Sequence, residues 1–493
     1  MFKSGLTRPI LVLATGLVLA TGLLTTNAIA GETPAEPTPP ATTAAHFKGP
    51  LKTVGNKITA SGTPITLRGV SVLAPEQNDL CQYCNAKPIS ELIGMTVSDG
   101  WNSDVVRLPV TEVTYGDLEG YAQEYIDPYV QQAVDLGIYI IVDLHHVANY
   151  GTGGVSQSSV KQFWDFAAPR YGAVPNVIFE VFNEPISPDS WSSWKSYIQP
   201  VVDSIRTKAP NTLILMGNPQ WSTRVNGAVT DPIAGGNIAY VYHLYPNQGQ
   251  AVASVLDPKF GTAAQSIPIV LTEFGWNPPG EFSDPVVTQG TTSGWGIPLR
   301  AYLDARPHIS WTGWIFDNFW KPQMFDYNWN LLGGEYQGAF LKAWLAGQPY
   351  SSPCMNHLGV GATVTVSSSY AGGDYPGAKA VDGDCSDAGR WLSAVGDTQP
   401  TLTVTLPAAK TIKSVDVYSG YSGGGGNTVL VDFRVQVRTN GAWVNLPDVN
   451  DNTKGLVSLT TNVTTPVDQV RLVVFDPSNN ETDVARVVEV ALH

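Results

Sequence analysis

Residues 121–146 read YAQEYIDPYVQQAVDLGIYIIVDLHH. In this stretch Ile126, Tyr129, Val130, Ala133 and Val134 recur at the spacing of one helix face. Gly137 then supplies the residue that tolerates a left-handed backbone and so ends a helix. Pro128 either kinks this helix or marks its true start. Past the glycine the pattern changes to a nearly continuous β-branched run, as expected of a strand covered on both faces. That strand closes on Asp143, His145 and His146, which are polar residues at its C-terminal end.

The same unit recurs on either side. Apolar runs at 68–73, 104–110, 138–145, 177–183, 212–216, 238–245, 267–274 and 309–316 predict eight buried strands. Helical patterns stand between several of them, at 191–208 and 338–345 as well as 121–136. A small hairpin (56–60 with 65–67, turned at Gly62) precedes the first. Eight strand–helix units in about 280 residues predict a (β/α)8 TIM barrel, an α/β fold whose usual size is about 250 residues. A doubly wound sheet is the alternative, but no G-x-G-x-x-G follows the first strand.

The rest of the chain bounds the class of protein. It has 493 residues, 28 Lys and Arg against 42 Asp and Glu, and a formal charge of −14. That balance excludes nucleic acid as the natural partner, because phosphate binding needs a dense basic patch. Few charges with 14 Trp suit a neutral, hydroxyl-rich ligand such as a sugar. Lys3 and Arg8, the uncharged apolar stretch 10–24 and Ala28-Ile29-Ala30 predict a signal peptide over 1–30 and a secreted protein, extracellular or periplasmic, with no membrane contact after cleavage. Residues 31–46 are Pro/Thr-rich and read as a tether. In an exported chain the four cysteines are expected in disulfides. Cys81-Gln82-Tyr83-Cys84 suits a small loop bridge, Cys354 with Cys385 is the remaining pair, and spacing leaves all three connectivities open.

A barrel places reactive groups at the C-terminal ends of its strands. Arg107 lies in the second predicted strand. His145 ends the third, and Asn183-Glu184-Pro185 the fourth. His243 and Tyr245 end the sixth, Glu273 the seventh, and Trp314 lies in the eighth. Glu184 and Glu273 form the pair that glycosidic cleavage needs, one acid to protonate the leaving oxygen and one carboxylate to attack or activate water. Arg107 and Tyr245 would keep Glu273 ionised. Asn183 would reach a sugar 2-hydroxyl, His145 and His243 would orient carboxylates or hydroxyls, and Trp314 would offer a flat apolar face. Taken singly, Asn-Glu-Pro also fits a plain turn and His243 an ordinary core histidine. Their joint placement at strand ends points to chemistry. No HExxH or comparable spacing supports a metal site among these histidines.

The strings VVRLPV (105–110), IIVDLHH (140–146), VIFEVFNEP (177–185), VYHLYP (241–246), IVLTEFGW (269–276) and SWTGW (310–314) resemble glycoside hydrolase family 5, the cellulase family, over residues 55–347. The resemblance implies Glu184 as acid/base and Glu273 as nucleophile of a retaining mechanism, with carboxylates about 5–5.5 Å apart. It implies Arg107, His145, Asn183, His243, Tyr245 and Trp314 as the supporting shell, with Trp311 or Trp320 as alternative platforms, and no cofactor for catalysis. Trp101, Trp221, Trp276, Trp295, Trp320 and Trp329 are candidates to line an extended, endo-acting cleft. The expected substrate is a β-1,4-linked polysaccharide, a cellulose-type β-glucan by the family's commonest theme, with β-mannan or another β-glycan as the alternative.

From 348 the composition changes. Residues 348–358 read as a linker. After it, period-two runs at 362–367, 401–406, 414–418, 433–437, 443–446, 470–475 and 487–491 predict a C-terminal all-β sandwich over 359–493, with Asn440-Gly441 as a hairpin turn and Gly423–Gly426 as a loop. The opening ATVTVSSSYAGGDYPGAKAVDGDCSDAGRW (362–391) resembles the discoidin or coagulation-factor C-type domain, often a carbohydrate-binding module. The resemblance implies a structural Ca2+ on the Ala380 carbonyl, Asp382, Asp384 or Asp387, and Glu489, all oxygen donors. The whole then reads as a monomeric endo-glycosidase of residues 47–347 with an appended glycan-binding module. A non-catalytic polysaccharide-binding barrel and a transglycosylase are the rival functions.

Overall fold

Eight short strands run parallel and close on themselves in chain order: β1 (Arg68–Ser71), β2 (Val105–Val110), β3 (Tyr139–Leu144), β4 (Val177–Glu180), β5 (Ile214–Met216), β6 (Ile238–Leu244), β7 (Ile269–Phe274) and β8 (Ser310–Gly313). Closure is made by β8 on β1, with Trp311 opposite Arg68. Every strand residue except Arg68 is buried, which is why the runs carry no alternation. This architecture comes from a computed structural model that describes residues 46–111, 116–278, 286–351, 353–385, 389–420, 428–479 and 483–493. The expected signal peptide, nearly all of the tether, the 423–426 loop and Asp387 lie outside the described residues.

All eight expected strands are present, each trimmed at its ends. The helices around them are α1 (Ile89–Met95), α2 (Leu118–Tyr125), α3 (Asp127–Leu136), α4 (Gln157–Tyr171), α5 (Trp191–Lys208), α6 (Ile297–Asp304) and α7 (Gln337–Leu345). The single helix expected over 121–136 is two. Ile126 leaves the helical region at φ −127°, and Pro128 sits in the first turn of α3, where its missing N–H costs nothing. Gly137 ends α3 at φ 65° as expected, but Val134 is 38% exposed and does not belong to the buried face. The expectation also missed α4. Ser156 caps it by accepting from the Ser159 N–H, and Val160, Phe163, Trp164, Ala167, Ala168 and Tyr171 are its buried residues.

The N-terminal end of the barrel is plugged. The expected two-stranded hairpin is a three-stranded antiparallel sheet, Leu51–Val54, Lys57–Ala60 and Thr63–Pro64. Pro64, not the apolar run 65–67, forms its last strand. Ile58 points into the barrel floor with Leu67, Val105, Ile141, Ile178, Leu215 and Val270.

The last part of the chain is antiparallel: β9 (Thr363–Val366), β10 (Trp391–Leu392), β11 (Thr401–Lys410), β12 (Ser414–Ser419), β13 (Asp432–Thr439), β14 (Ala442–Asn445), β15 (Leu456–Thr460), β16 (Val467–Asp476) and β17 (Arg486–Leu492). They form a five-stranded sheet, β9-β11-β16-β13-β14, and a four-stranded sheet, β10-β17-β12-β15. β13 alternates buried and half-buried residues, and its buried set packs with Val470, Leu472 and Val490 in one core. Asn440 and Gly441 turn the β13–β14 hairpin at φ 50° and 78°, the pair of left-handed residues such a turn requires. Strands β10 and β15 were not anticipated. The cysteines pair as Cys81–Cys84 and Cys354–Cys385.

Candidate active site

Arg107 lies at the centre of the C-terminal face with no exposed surface. A buried guanidinium needs its five donors filled, and carboxylates fill them from neighbouring strands. Nε and Nη2 meet Glu180 at 2.7 and 3.2 Å. Nη2 also reaches Asp143 at 2.9 Å and the Asn183 side-chain oxygen Oδ1 at 2.6 Å. Nη1 donates to Glu273 Oε1 at 2.9 Å. Asp143 was noted as a polar residue closing its strand but given no role, and Glu180 was not singled out from the sequence. The signal was there, since a carboxylate inside an otherwise apolar buried strand requires a cation opposite it.

Glu273 ends β7 and is 5% exposed. Its second oxygen accepts the Tyr245 hydroxyl at 2.8 Å. Burial pushes this carboxyl up, but His243, Arg107, His145 and the Tyr245 hydrogen bond outweigh it, and it settles at about 2. The Tyr245 hydroxyl is driven the other way, well above its ordinary value, by burial and by Glu273. Tyr245 is therefore a fixed donor.

Glu184 follows β4 and faces Glu273. One oxygen of each, with a nitrogen of His243, all fall within 4.8 Å of one another. His243 Nδ1 is 2.7 Å from Glu184 and 3.6 Å from Glu273. Its other nitrogen is 3.0 Å from the Thr272 hydroxyl, which donates to Glu180 at 2.8 Å. Because that hydroxyl proton is committed to a carboxylate, hydrogen bonding assigns the Nε2 proton to His243. Nδ1 and Glu184 are then left sharing one proton between them. Burial lowers the His243 pKa, yet the two glutamates raise it above its ordinary value overall.

The remaining expected residues gather at the same place. The Asn183 side-chain oxygen is held by Arg107, and its amide nitrogen is buried without a partner. Asp143 orients His145 at 2.6 Å, and the His145 ring stacks parallel to Trp314 at 5.4 Å between centroids. His146 is separate: it packs on Phe182, and burial pushes it down to about 4. Trp311 is 1% exposed and belongs to the core, so it is not a platform. The same correction holds for Trp101, Trp276 and Trp295, each no more than 3% exposed: Trp101 packs on Phe316 and Phe325, and Trp276 on Trp295 and on Phe340 of α7. Trp221 and Trp320 remain exposed.

A cleft of about 940 Å3 runs from Glu184 and Glu273 over the loops after β5 and β6, walled by Trp191, Gln220, Trp221, Asn247 and Gln248. Gln220, Trp221 and Ser222 all sit at φ between 55° and 58°, a left-handed run that turns Trp221 outward. Glu184, His243 and Glu273 are also close enough to share a cation. The other such group among the described residues, Glu335 with Cys354 and Cys385, has its sulfurs joined to each other.

In the sandwich, Glu489 is fully buried. Its Oε1 meets His357 Nε2 at 2.7 Å and the Gly383 N–H at 3.3 Å, while its Oε2 has no partner. Burial, with Asp382 and Asp384 nearby, pushes the carboxyl up to about 9. Asp382 accepts the Asp384 N–H at 2.8 Å. An orphaned buried carboxylate oxygen with two aspartates near it offers oxygen donors of the kind a hard cation takes, but the three carboxylates do not fall within 4.8 Å of one another as the two groups above do.

Comparison with known proteins agrees with this layout. Residues 58–319, more than half of the chain, match the family described as cellulase (glycosyl hydrolase family 5). Residues 363–490 match the F5/8 type C domain. An endoglucanase from Clostridium saccharobutylicum is 29% identical over 274 residues, 54% of this chain and 57% of the relative. Endoglucanase A from Evansella cellulosilytica is 28% identical over 263 residues, 51% of this chain and 49% of the relative. The chain thus spans about half the length of these relatives. Among solved structures, a beta-glucanase from Saccharophagus degradans is 26% identical with a TM-score of 0.54, covering 64% of this chain and 98% of that one. Its complex with cellotetraose is 25% identical at the same TM-score and coverage.

Proposed function

Since the chain belongs to glycosyl hydrolase family 5, the cellulase family, through residues 58–319, we propose that it cleaves internal β-1,4 bonds of a cellulose-type β-glucan with retention of configuration. One observation carries the reading: two carboxylates lie within 4.8 Å, and only Glu273 is clamped by both a guanidinium and a phenol. That spacing falls with the closer of the two geometries known for paired glycosidase carboxylates, about 5–5.5 Å, and below the roughly 6.5–9.5 Å of the water-activating pair. The beta-glucanase seen with cellotetraose has the same fold and supports the choice of glucan.

In the first step a Glu273 oxygen attacks the anomeric carbon while Glu184 gives its proton to the glycosidic oxygen, and the aglycone leaves as an alcohol. Arg107 and Tyr245 keep Glu273 ionised up to attack. The free Asn183 amide donates to the sugar 2-hydroxyl, a bond that tightens as positive charge develops on the ring. In the second step Glu184, now a carboxylate, takes a proton from water. The water oxygen attacks the same carbon and Glu273 is released. Between the two steps that position holds no proton, and the proton taken from water restores the one that Glu184 shares with His243 Nδ1, 2.7 Å away.

The mature protein, incubated with β-1,4-glucan, β-mannan, xylan and mixed-linkage glucan, should release new reducing ends from a glucan by internal cuts. Glu184→Gln should lose about 10²–10⁴-fold. Release from mannan alone would overturn the substrate, and activity undiminished in Glu184→Gln and Glu273→Gln would overturn the mechanism. We further propose that residues 1–30 direct export, which two disulfides favour. Recovered secreted protein should then begin at Gly31. Among the described residues no helix is long and apolar enough to cross a membrane. The F5/8 type C segment is proposed to hold a monomeric chain on its glycan, with Ca2+ on Glu489, Asp382 and Asp384.

A further inference from the structure

Residues 348–358 read as a linker, yet they are fastened at both ends. On the barrel side, Gln348 donates its N–H to the Ala343 carbonyl and accepts from Arg300 of α6, both at 2.8 Å. Tyr350 lies edge-on to Phe340 of α7 at 5.3 Å, and its hydroxyl donates to the Gly334 carbonyl at 2.7 Å. On the sandwich side, Cys354 is bonded to Cys385. His357 Nδ1 accepts the N–H groups of Gly359 and Leu492 at 3.1 and 3.2 Å, which leaves the ring proton on Nε2, 2.7 Å from Glu489. Leu358 donates to the Leu492 carbonyl at 2.8 Å. Only residues 351–353 separate Tyr350 from Cys354, a reach of at most ~14 Å.

Barrel and sandwich belong to one compact unit and also meet directly. Glu335, just before α7, has no exposed surface. Its Oε2 accepts the Ser293 N–H at 2.8 Å and the Ser293 hydroxyl at 2.5 Å. Its backbone carbonyl accepts the Thr292 N–H at 3.0 Å and the Trp276 indole at 3.2 Å, so the barrel's half of the contact is held rigidly. One Glu335 carboxylate oxygen lies within 4.8 Å of both sulfurs of the Cys354–Cys385 bridge. On the far side, the bridge packs with Tyr418 of β12 and with Val488 and Ala491 of β17. Burial first, and then the nearby Glu335, pushes the Tyr418 hydroxyl up. A carboxylate set against another module's disulfide is kept from water only while that module stays in place.

We infer that the barrel edge at Glu335 is a docking surface whose partner is the chain's own sandwich, and that the Cys354–Cys385 bridge locks the dock, so that cleft and sandwich meet one polymer in a single fixed orientation. Binding by either module then presents the other at high effective concentration, with no tether left to order. The inference rests on the glucan reading of the cleft and on the glycan-binding role of the sandwich.

Small-angle scattering of the mature full chain should give the distance distribution of one body. In Cys354→Ser/Cys385→Ser, and in a chain with about 20 Gly/Ser residues inserted after Tyr350, the longest distances should lengthen. In both variants kcat/KM on an aryl β-cellobioside should stay unchanged, while the rate on polymeric β-glucan falls about tenfold. A wild-type profile as extended as that of the insertion variant overturns the dock. Unchanged profiles in both variants overturn the bridge's part as its lock. Longer distances with an undiminished polymer rate overturn the role in orientation, as does an equal fall on the aryl glycoside, which would place the effect in the barrel itself. Retention on insoluble β-glucan, measured with Glu273→Gln in both the natural and the insertion chain, needs no cleavage. Weaker retention after insertion upholds the fixed orientation even if the wild type cuts no glucan, in which case the catalytic reading alone fails. Equal retention removes the fixed orientation.

Discussion

At Arg107 a single cation is shared among Asp143, Glu180 and Glu273, and the sharing is geometric: a planar fork offers separate N–H groups to each. A lysine there keeps the charge but cannot hold Glu180 by two bonds and Glu273 by a third. In Arg107→Lys the Glu273 carboxyl should rise from about 2 toward the ordinary carboxylate value near ~4.3. Less of it is then ionised at a given acidic pH, so the acid limb of the kcat/KM profile should move to higher pH. A limb that stays in place would show that Tyr245 and His243 suffice. The sequence revealed the residues that end strands, because a polar side chain after a β-branched run is conspicuous. It revealed neither Glu180 nor Thr272, which act through others. It also misjudged Trp101, Trp276 and Trp295, since exposure of a loop tryptophan depends on neighbours distant in sequence.

Strand packing shows the same contrast at the scale of elements. Gly69 in β1 faces β2 so closely that a Cβ would sit 1.7 Å from the Val105 carbonyl oxygen. Backbone cannot yield as a flexible side chain can. Gly69→Ala should therefore cost at least the upper end of the usual overpacking range of about 1–3 kcal/mol, read as a fall in denaturant midpoint. The eight strands were legible because burial on both faces leaves an unbroken apolar run. α4 was missed although its buried residues follow helical spacing, because a Gly- and Ser-rich approach and Pro169 near its end both resemble loop. β15 was missed because it lies at the edge of its sheet, with only Leu459 buried, and so carries little alternation.

Across the whole molecule, two modules of different architecture are carried on one chain, and each should answer to its own ligand. If Ca2+ sits on Glu489, adding it to chelator-treated protein should raise the melting temperature of one transition by mass action. The same addition should do nothing to Glu489→Gln. A second transition, belonging to the barrel, should be indifferent to Ca2+ in both. A rise that persists in Glu489→Gln would place the cation elsewhere.

Glu273, Glu180 and Asp143 surround one guanidinium, and Glu184 stands beside them with a proton shared with His243. The pocket is therefore anionic on balance, in a setting where water no longer screens it. A flattened sugar ring bearing positive charge is what such a pocket is built to hold. Ring-nitrogen sugar mimics that are protonated at the working pH should inhibit more strongly than neutral lactams of the same shape. Potency should rise with pH as long as the inhibitor keeps its proton. The loss of that preference in Glu273→Gln would be read directly from the two inhibition constants.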